Sequence, residues 1–170
     1  MTDALATATR GAAAAEMALV LPLLLGLLFG SVELGNYFRS EHVLLKGVRD
    51  GAVYAARQEI LNYDCSAGTP TVPSGIVGET KALVRTGQLS GGSDLLPLWN
   101  DGSTSFSVAV SCVTSAGGTT MAGIYLVNGG NVPVITVTAN LPYQSVLGAL
   151  GLSTLGLRLE AAQQAAVTGI

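Results

Sequence analysis

Between Met17 and Val32 the chain carries no charged residue, and Leu19-Val20-Leu21-Pro22-Leu23-Leu24-Leu25-Gly26-Leu27-Leu28-Phe29 is almost wholly aliphatic. A helix of that composition is apolar on every side, whereas a surface helix of a soluble domain keeps one polar face. With Ala12 to Ala15 and Leu34 the segment reaches about 23 residues, roughly 34 Å of helix. That length covers a hydrocarbon core of about 30 Å. A cleaved secretory signal peptide competes with this reading, but it needs an A-x-A-like site after the apolar run. Gly30-Ser31-Val32-Glu33 is a poor one. The segment is therefore read as a retained, single-pass transmembrane helix over residues 12–34.

Composition supports the split. Charged residues make up 11% of the chain, against about 25% in an ordinary soluble domain. Aromatics are 5% and glycines number 22, so the part outside the bilayer has a thin core and many turns. The net charge is −3. No cluster of Lys and Arg marks a nucleic-acid-binding face. One histidine and two cysteines are too few for a structural zinc site within this chain.

Three residues within or beside the apolar run carry more than hydrophobicity. Glu16 lies at its N-terminal end, where a carboxylate is costly. Either it reaches the interface by snorkelling, or it meets a positive partner on another subunit. Pro22 removes one backbone hydrogen bond and predicts a kink or local opening. Gly26 and Gly30 form a G-x-x-x-G pair that lets a second helix approach closely. The flanking charges give no clear orientation. Arg10 precedes the span, whereas Arg39, Lys46 and Arg49 follow it. By the positive-inside count the C-terminal flank faces the cytoplasm, while the cysteines and strands described next argue for export.

Beyond the span the helix is expected to continue to about Leu61, making roughly 75 Å from Ala12. Tyr37, Leu44, Leu45, Val48, Ala52, Tyr54, Ala55, Ala56 and Ile60 recur at helical spacing among charged positions. Residues 35–61 thus form an amphipathic extension. Asn62 to Ser74 reads as a loop, and Gly75 to Leu89 as a short helix ended by Ser90-Gly91-Gly92-Ser93. The period then changes to two. Ser105 to Val113 and Val132 to Asn140 alternate polar and apolar residues as half-buried strands do. A further hairpin strand is expected around Ile124 to Val127, an apolar loop or short helix over Pro142 to Leu152, and a last strand through Leu155, Leu157 and Leu159. The fold class is α+β: a long N-terminal transmembrane and amphipathic helix followed by a small antiparallel sheet, with residues 62–170 as an extracytoplasmic domain.

Cys65 and Cys112 fall after the helix and in the first clear strand. In an exported domain they suggest a disulfide, the alternative being two buried free thiols. The bridge would close a loop of about 48 residues, worth roughly 4 kcal/mol on the chain-entropy model. Catalytic residues are not expected. His42 has Glu41 as its chain neighbour, and adjacent helix residues do not face each other. There is no G-x-S-x-G, no phosphate-binding loop and no metal-spaced histidine pair.

The N-terminal pattern of Arg10-Gly11, Ala12-Ala13-Ala14-Ala15-Glu16 and then Leu19-Val20-Leu21-Pro22 resembles the TadE-like proteins, minor pseudopilins of the tight-adherence (Flp) type IV pilus systems. Arg49-Asp50-Gly51-Ala52-Val53-Tyr54-Ala55-Ala56-Arg57 is similar to that family's stretch after the span. Ile135 to Ala139, Leu141-Pro142-Tyr143 and the final strand to Ala161 resemble its C-terminal part, while the middle of the chain hardly does. Met17 stands where the family often has an aromatic. The resemblance implies that a prepilin peptidase removes a leader, residues 1–11, by cutting between Gly11 and Ala12. It implies that Glu16 sets axial register by pairing with the free amine of a neighbouring subunit. It implies a pilin-like protein of the bacterial cytoplasmic (inner) membrane, present in or at the base of a pilus. Its partners would be prepilin peptidase, other pilins or pseudopilins, the pilus assembly machinery and the lipid bilayer. No cofactor, nucleic acid or small-molecule substrate is expected. The alternative is a membrane-tethered extracytoplasmic binding or structural module with no role in a polymer.

Overall fold

A computed structural model of the chain describes residues 2–65, 70–100, 102–114, 121–149, 151 and 156–170, with side chains from Ala13 onward except Ala149. A 55-residue helix, α1 (Thr2–Ala56), opens the chain. After it come a 3-10 turn (Ile60–Asn62), α2 (Ser74–Thr86), β1 (Ser105–Val113), a 3-10 helix (Gly123–Asn128), β2 (Val132–Pro142), α3 (Val146–Ala149) and β3 (Arg158–Ala166). The long apolar helix followed by a three-stranded antiparallel sheet with short helices is the α+β, pilin-like layout expected from the sequence. The chain divides into two compact units, residues 1–38 with 145–154, and residues 39–144 with 155–170.

The sheet belongs to the larger unit and has the order β1-β2-β3, so β2 is central. Its register sets Val108 opposite Val137, Val110 opposite Ile135 and Cys112 opposite Pro133 on one side. On the other side it sets Leu159 opposite Leu141 and Ala161 opposite Ala139. Period-two alternation therefore collects Pro133, Ile135, Val137, Ala139 and Leu141 on one buried face. Thr136, Thr138, Ser107, Ser111, Glu160 and Gln164 line the opposite face, which is polar. Full burial of Ile135, Val137 and Leu141 is worth about 1.5–3 kcal/mol each, so β2 is the strand on which this unit depends most.

Leu44, Val48, Ala52, Ala55 and Ala56 from the second half of α1 join that core. Leu45 does not: it is exposed, and Tyr54 is only half buried. The second half of α1 also meets α2. A Cβ on Gly47 would stand 2.8 Å from the Val84 carbonyl oxygen, and one on Gly51 would stand 2.6 Å from Val84 Cγ2 and 3.2 Å from Thr80 Cγ2. Both positions require glycine because the helices approach to within backbone contact. This G-x-x-x-G pair is separate from the Gly26 and Gly30 pair, whose surroundings are open space.

Several element boundaries differ from the sequence reading, each for a local reason. α1 ends at Ala56, short of Leu61. Arg57 N–H is shared between the Val53 and Tyr54 carbonyls, which tightens the last turn, and Glu59 is extended (φ −52°, ψ 131°) before the 3-10 turn. α2 stops at Thr86 rather than Leu89, because Gly87 takes a left-handed conformation and donates to Leu83 O at 2.8 Å. The expected hairpin strand around Ile124 to Val127 is instead a 3-10 helix. Left-handed Gly129 ends it, with Gly130 N donating to Tyr125 O at 2.9 Å. The last strand starts at Arg158 and runs to Ala166, beyond Ala161. Leu155 lies outside the described residues.

Candidate functional site

Over the apolar run, α1 is exposed on all sides. Leu19 (80%) and Leu23 (66%) stand out, and Met17, Val20, Leu21, Leu24, Leu25, Leu27, Leu28, Phe29 and Val32 are also exposed. Consecutive residues point about 100° apart, so no polar face remains. An 18-residue window here has a mean hydropathy of 2.1, and none of it is buried within the chain. An N-terminal helix of this kind is consistent with a membrane anchor or a signal.

Glu16 is exposed within α1, one turn before the leucine run. Pro22 lies inside α1. Gly11 and Ala12 fall in the helical backbone, but their side chains lie outside the described set. Neither Glu16 nor Pro22 is brought together with a distant part of the chain in the described contacts. The two cysteines are. Cys65 and Cys112 form a disulfide with Cα atoms 5.7 Å apart, joining the segment after α1 to the far end of β1.

At the C-terminal end of the apolar run a contact appears that sequence reasoning missed. Glu33 Oε2 accepts a hydrogen bond from Leu147 N–H at 3.0 Å. Ser145 Oγ accepts from Gly148 N–H at 2.8 Å. A serine ahead of a short helix is a standard N-cap, and a carboxylate near the same N-terminus is favourably placed. The Ser145-Val146-Leu147-Gly148 pattern could have suggested the cap, but nothing local in the sequence pairs it with Glu33.

A second missed feature lies in the larger unit. Tyr63 is fully buried and donates from its hydroxyl to Ala55 O at 2.6 Å. Burial pushes its phenol up to about 12, with a smaller contribution from Tyr54. Buried Asn128 donates to Tyr63 O at 3.0 Å, and Tyr125 donates to Val167 O at 3.0 Å. Thr168 N donates to Ala56 O at 2.8 Å. These bonds tie the end of α1 to both 3-10 segments and to the segment that follows β3. Tyr54, nearby on α1, donates to Glu79 of α2, and that hydrogen bond is the main reason its phenol is raised. On α2, Arg85 pairs with Asp94, which raises the guanidinium further.

His42 is exposed and lines a shallow groove with Leu45, Lys46, Arg49 and Gln163. Lys46 pairs with Asp50 at 3.0 Å on the exposed helix surface, a contact of a few tenths of a kcal/mol at most. Among the described residues no group of three or more His, Cys, Asp or Glu is placed to hold a metal ion.

Residues 11–53 match the family model described as TadE-like protein. No curated protein and no solved structure matches the chain. The matched stretch begins at Gly11, takes in Glu16 and the whole apolar run, and ends inside the α1 face that packs on α2. TadE-like proteins are a pilin-like family not known for enzymes, set in the context of the Tad pilus machinery. Over residues 11–53, then, this chain carries a TadE-like domain.

Proposed function

We propose that the protein is a minor pseudopilin that takes part in assembling a tight-adherence (Flp) type IV pilus. In this reading prepilin peptidase cuts between Gly11 and Ala12, and residues 12–34 span the cytoplasmic membrane once. The domain from residue 62 onward lies outside the cytoplasm. The observation that carries the proposal is the TadE-like match beginning at Gly11 and running through a helix exposed on every apolar side. A leucine surface with no partner among the described residues is the surface that lipid and other pilin-like helices cover. The disulfide supports an extracytoplasmic domain, because such bonds persist in oxidising compartments.

Processing would leave Ala12 with a free amine and Glu16 as the fifth residue. In a low-dielectric surrounding an unpaired carboxylate is penalised, and an opposite charge attracts it strongly. Glu16 therefore favours the one axial register that brings a neighbour's amine alongside it. Pro22, just beyond, loosens the helix there.

Mass spectrometry of the membrane-bound protein tests the reading. An N-terminus at Ala12 is expected, and an intact leader starting at Met1 or Thr2 overturns the processed-pseudopilin assignment. Glu16→Ala should still be cleaved and membrane-bound, yet should lose co-purification with pilin-like partners. Unchanged co-purification and piliation would point to a tethered module in which Glu16 is incidental.

A further inference from the structure

The sheet has two outer strands, β1 and β3, and one backbone bond fixes which groups on them are left over. Along a strand, one residue turns its N–H and C=O to one neighbour and the next turns them to the other. Val167 N donates to Pro133 O at 2.9 Å, one step beyond the Val134–Ala166 pair. Ile135, Val137, Ala139 and Leu141 therefore bond to β3, in phase with Pro133. Val134, Thr136, Thr138 and Asn140 bond to β1, where their partners are Ser111, Ala109, Ser107 and Ser105. Phe106, Val108, Val110 and Cys112 are left with N–H and C=O groups turned away from the sheet. Among the described residues no backbone bond from outside the sheet reaches any of these four.

The two edges are treated differently. β3 carries Arg158 and Glu160 at one end. Gln163 Nε2 donates to Gln164 O at 3.2 Å. Beyond Ala166 the segment after α1 takes over, with Thr168 N bonded to Ala56 O and a bridge between Glu59 and Gly169. Charges and covering segments are how natural sheets blunt an edge. β1 has no such guard. Residues 102–114 contain no charge and no proline, and the nine pairs of β1 with β2 run without a bulge. Burial agrees: β2 buries every second residue, while no residue of β1 is buried. Phe106, Val108 and Val110 lie half-buried on the core face, opposite Ala139, Val137 and Ile135, so that face is unfinished along β1.

A row of outward N–H and C=O groups is matched by one kind of surface, another extended backbone. β2 shows which side chains suit β1: Ile135, Val137 and Ala139 on the core face, Thr136 and Thr138 on the other. We propose that β1 accepts a fourth strand from a different chain, an uncharged segment in which β-branched apolar residues alternate with Thr or Ser. A second copy of this chain is excluded by direction. Two copies joined through β1 make one sheet only antiparallel, about an axis normal to it. The second half of α1 packs on that sheet through Leu44, Val48, Ala52 and Ala55, so the axis would reverse it. Chains anchored in one bilayer share a direction, and this exclusion rests on the proposed span over residues 12–34. The β3 edge of a second copy is blunted, as above.

The test uses the full, disulfide-bonded chain in detergent micelles and a dye-labelled Thr-Val-Thr-Val-Thr-Val-Thr peptide, read by fluorescence anisotropy. The peptide should bind antiparallel, with its valines opposite Val108 and Val110. N-methylation of the valines removes the donors that face β1 and should weaken binding about tenfold or more. N-methylation of the threonines should change it less than about twofold. Val110→Pro removes an outward N–H and spares the bonds to β2, so it should also weaken binding about tenfold. Absence of binding, equal binding of the two methylated peptides, or unchanged binding by Val110→Pro overturns the proposal. In the chain alone the Val108 and Val110 amides should exchange freely with solvent deuterium. Protection at every concentration would show the edge covered within the chain and overturn it. Protection lost on dilution would name a second copy and overturn the choice of donor. Retention of the chain in membranes on carbonate extraction would then fault the direction argument alone, and its release would fault the span.

Discussion

Gly51 offers a test in which two glycines four residues apart should behave differently for a stated reason. Gly51→Ala gains about 1 kcal/mol of helix propensity. Its new Cβ, however, would sit 2.6 Å from Val84 Cγ2 and 3.2 Å from Thr80 Cγ2. Both are methyls on β-branched side chains with little rotamer freedom, so α1 and α2 must separate. Overpacking of that kind costs about 1–3 kcal/mol, leaving a net loss of up to about 2 kcal/mol once the propensity gain is set against it. Val84→Ala removes the obstructing methyl. In that background only the 3.2 Å contact with Thr80 Cγ2 remains, so the Gly51→Ala penalty should fall to near zero, giving a coupling of up to about 2 kcal/mol, within the range measured for residues in contact. Gly47→Ala meets the Val84 carbonyl oxygen instead, at 2.8 Å. Val84→Ala leaves that oxygen in place, so the Gly47→Ala penalty should persist in both backgrounds. Trp99, the sole tryptophan, is buried in the same unit, so its fluorescence during urea unfolding of the detergent-solubilised chain reports the cycle. A Gly51→Ala penalty that survives Val84→Ala, or a neutral Gly47→Ala, would refute the close crossing.

Reducing the Cys65–Cys112 bond, or replacing both residues by serine, should lower stability by roughly 4 kcal/mol on the chain-entropy model, seen as a fall in the urea midpoint and as slower migration on a gel. The Tyr63 phenol is pushed from 10.0 up to about 12 in the folded state. Its contribution is therefore complete below pH 10 and is lost as pH rises towards 12, because the unfolded chain gives up the proton first. The loss reaches about 3 kcal/mol, at 1.36 kcal/mol per pH unit, and Tyr63→Phe should flatten the alkaline decline of the urea midpoint while costing about 1 kcal/mol at neutral pH for the hydrogen bond. The Thr80 hydroxyl is fully buried with no hydrogen-bond partner among the described residues. Thr80→Val should raise the thermal midpoint, by about 1 kcal/mol in stability, since an unsatisfied hydroxyl costs about 1–3 kcal/mol.

What could be read in the sequence was what depends on local pattern. The leucine run announces itself over any window. Strict alternation from Ser105 to Val113 and from Val132 to Asn140 places two strands, because only one face of a sheet meets the core. Ile124 to Val127 has strand composition but no alternation, and the glycines around it set a 3-10 helix instead. Leu45 fits helical spacing as well as Leu44 does, and only the packing of the folded chain decides which of them is buried. Gly47 and Gly51 read as weak points of a helix until α2 is seen to occupy their missing side chains. Glu33 and Leu147 are more than a hundred positions apart, so no local rule joins them. For the candidate site, the cysteine pairing was legible from number and compartment. The roles proposed for Gly11, Ala12 and Glu16 rest on resemblance, because a processing signal or an intermolecular charge pair would leave no trace in the packing of one chain.

The hydrogen bond between Ala56 O and Thr168 N has a consequence for timing. Its partners lie about 110 residues apart in the chain, and the nearby Tyr125 bond also waits for Val167. The end of α1 is thus fastened by a segment that is synthesised long after it. During synthesis α1 can form early, but the unit around its end cannot close until residue 168 has been made. Contacts of such long sequence separation form slowly. The unit around the end of α1 therefore stays open through most of synthesis, and closes only when the residues after β3 have been made.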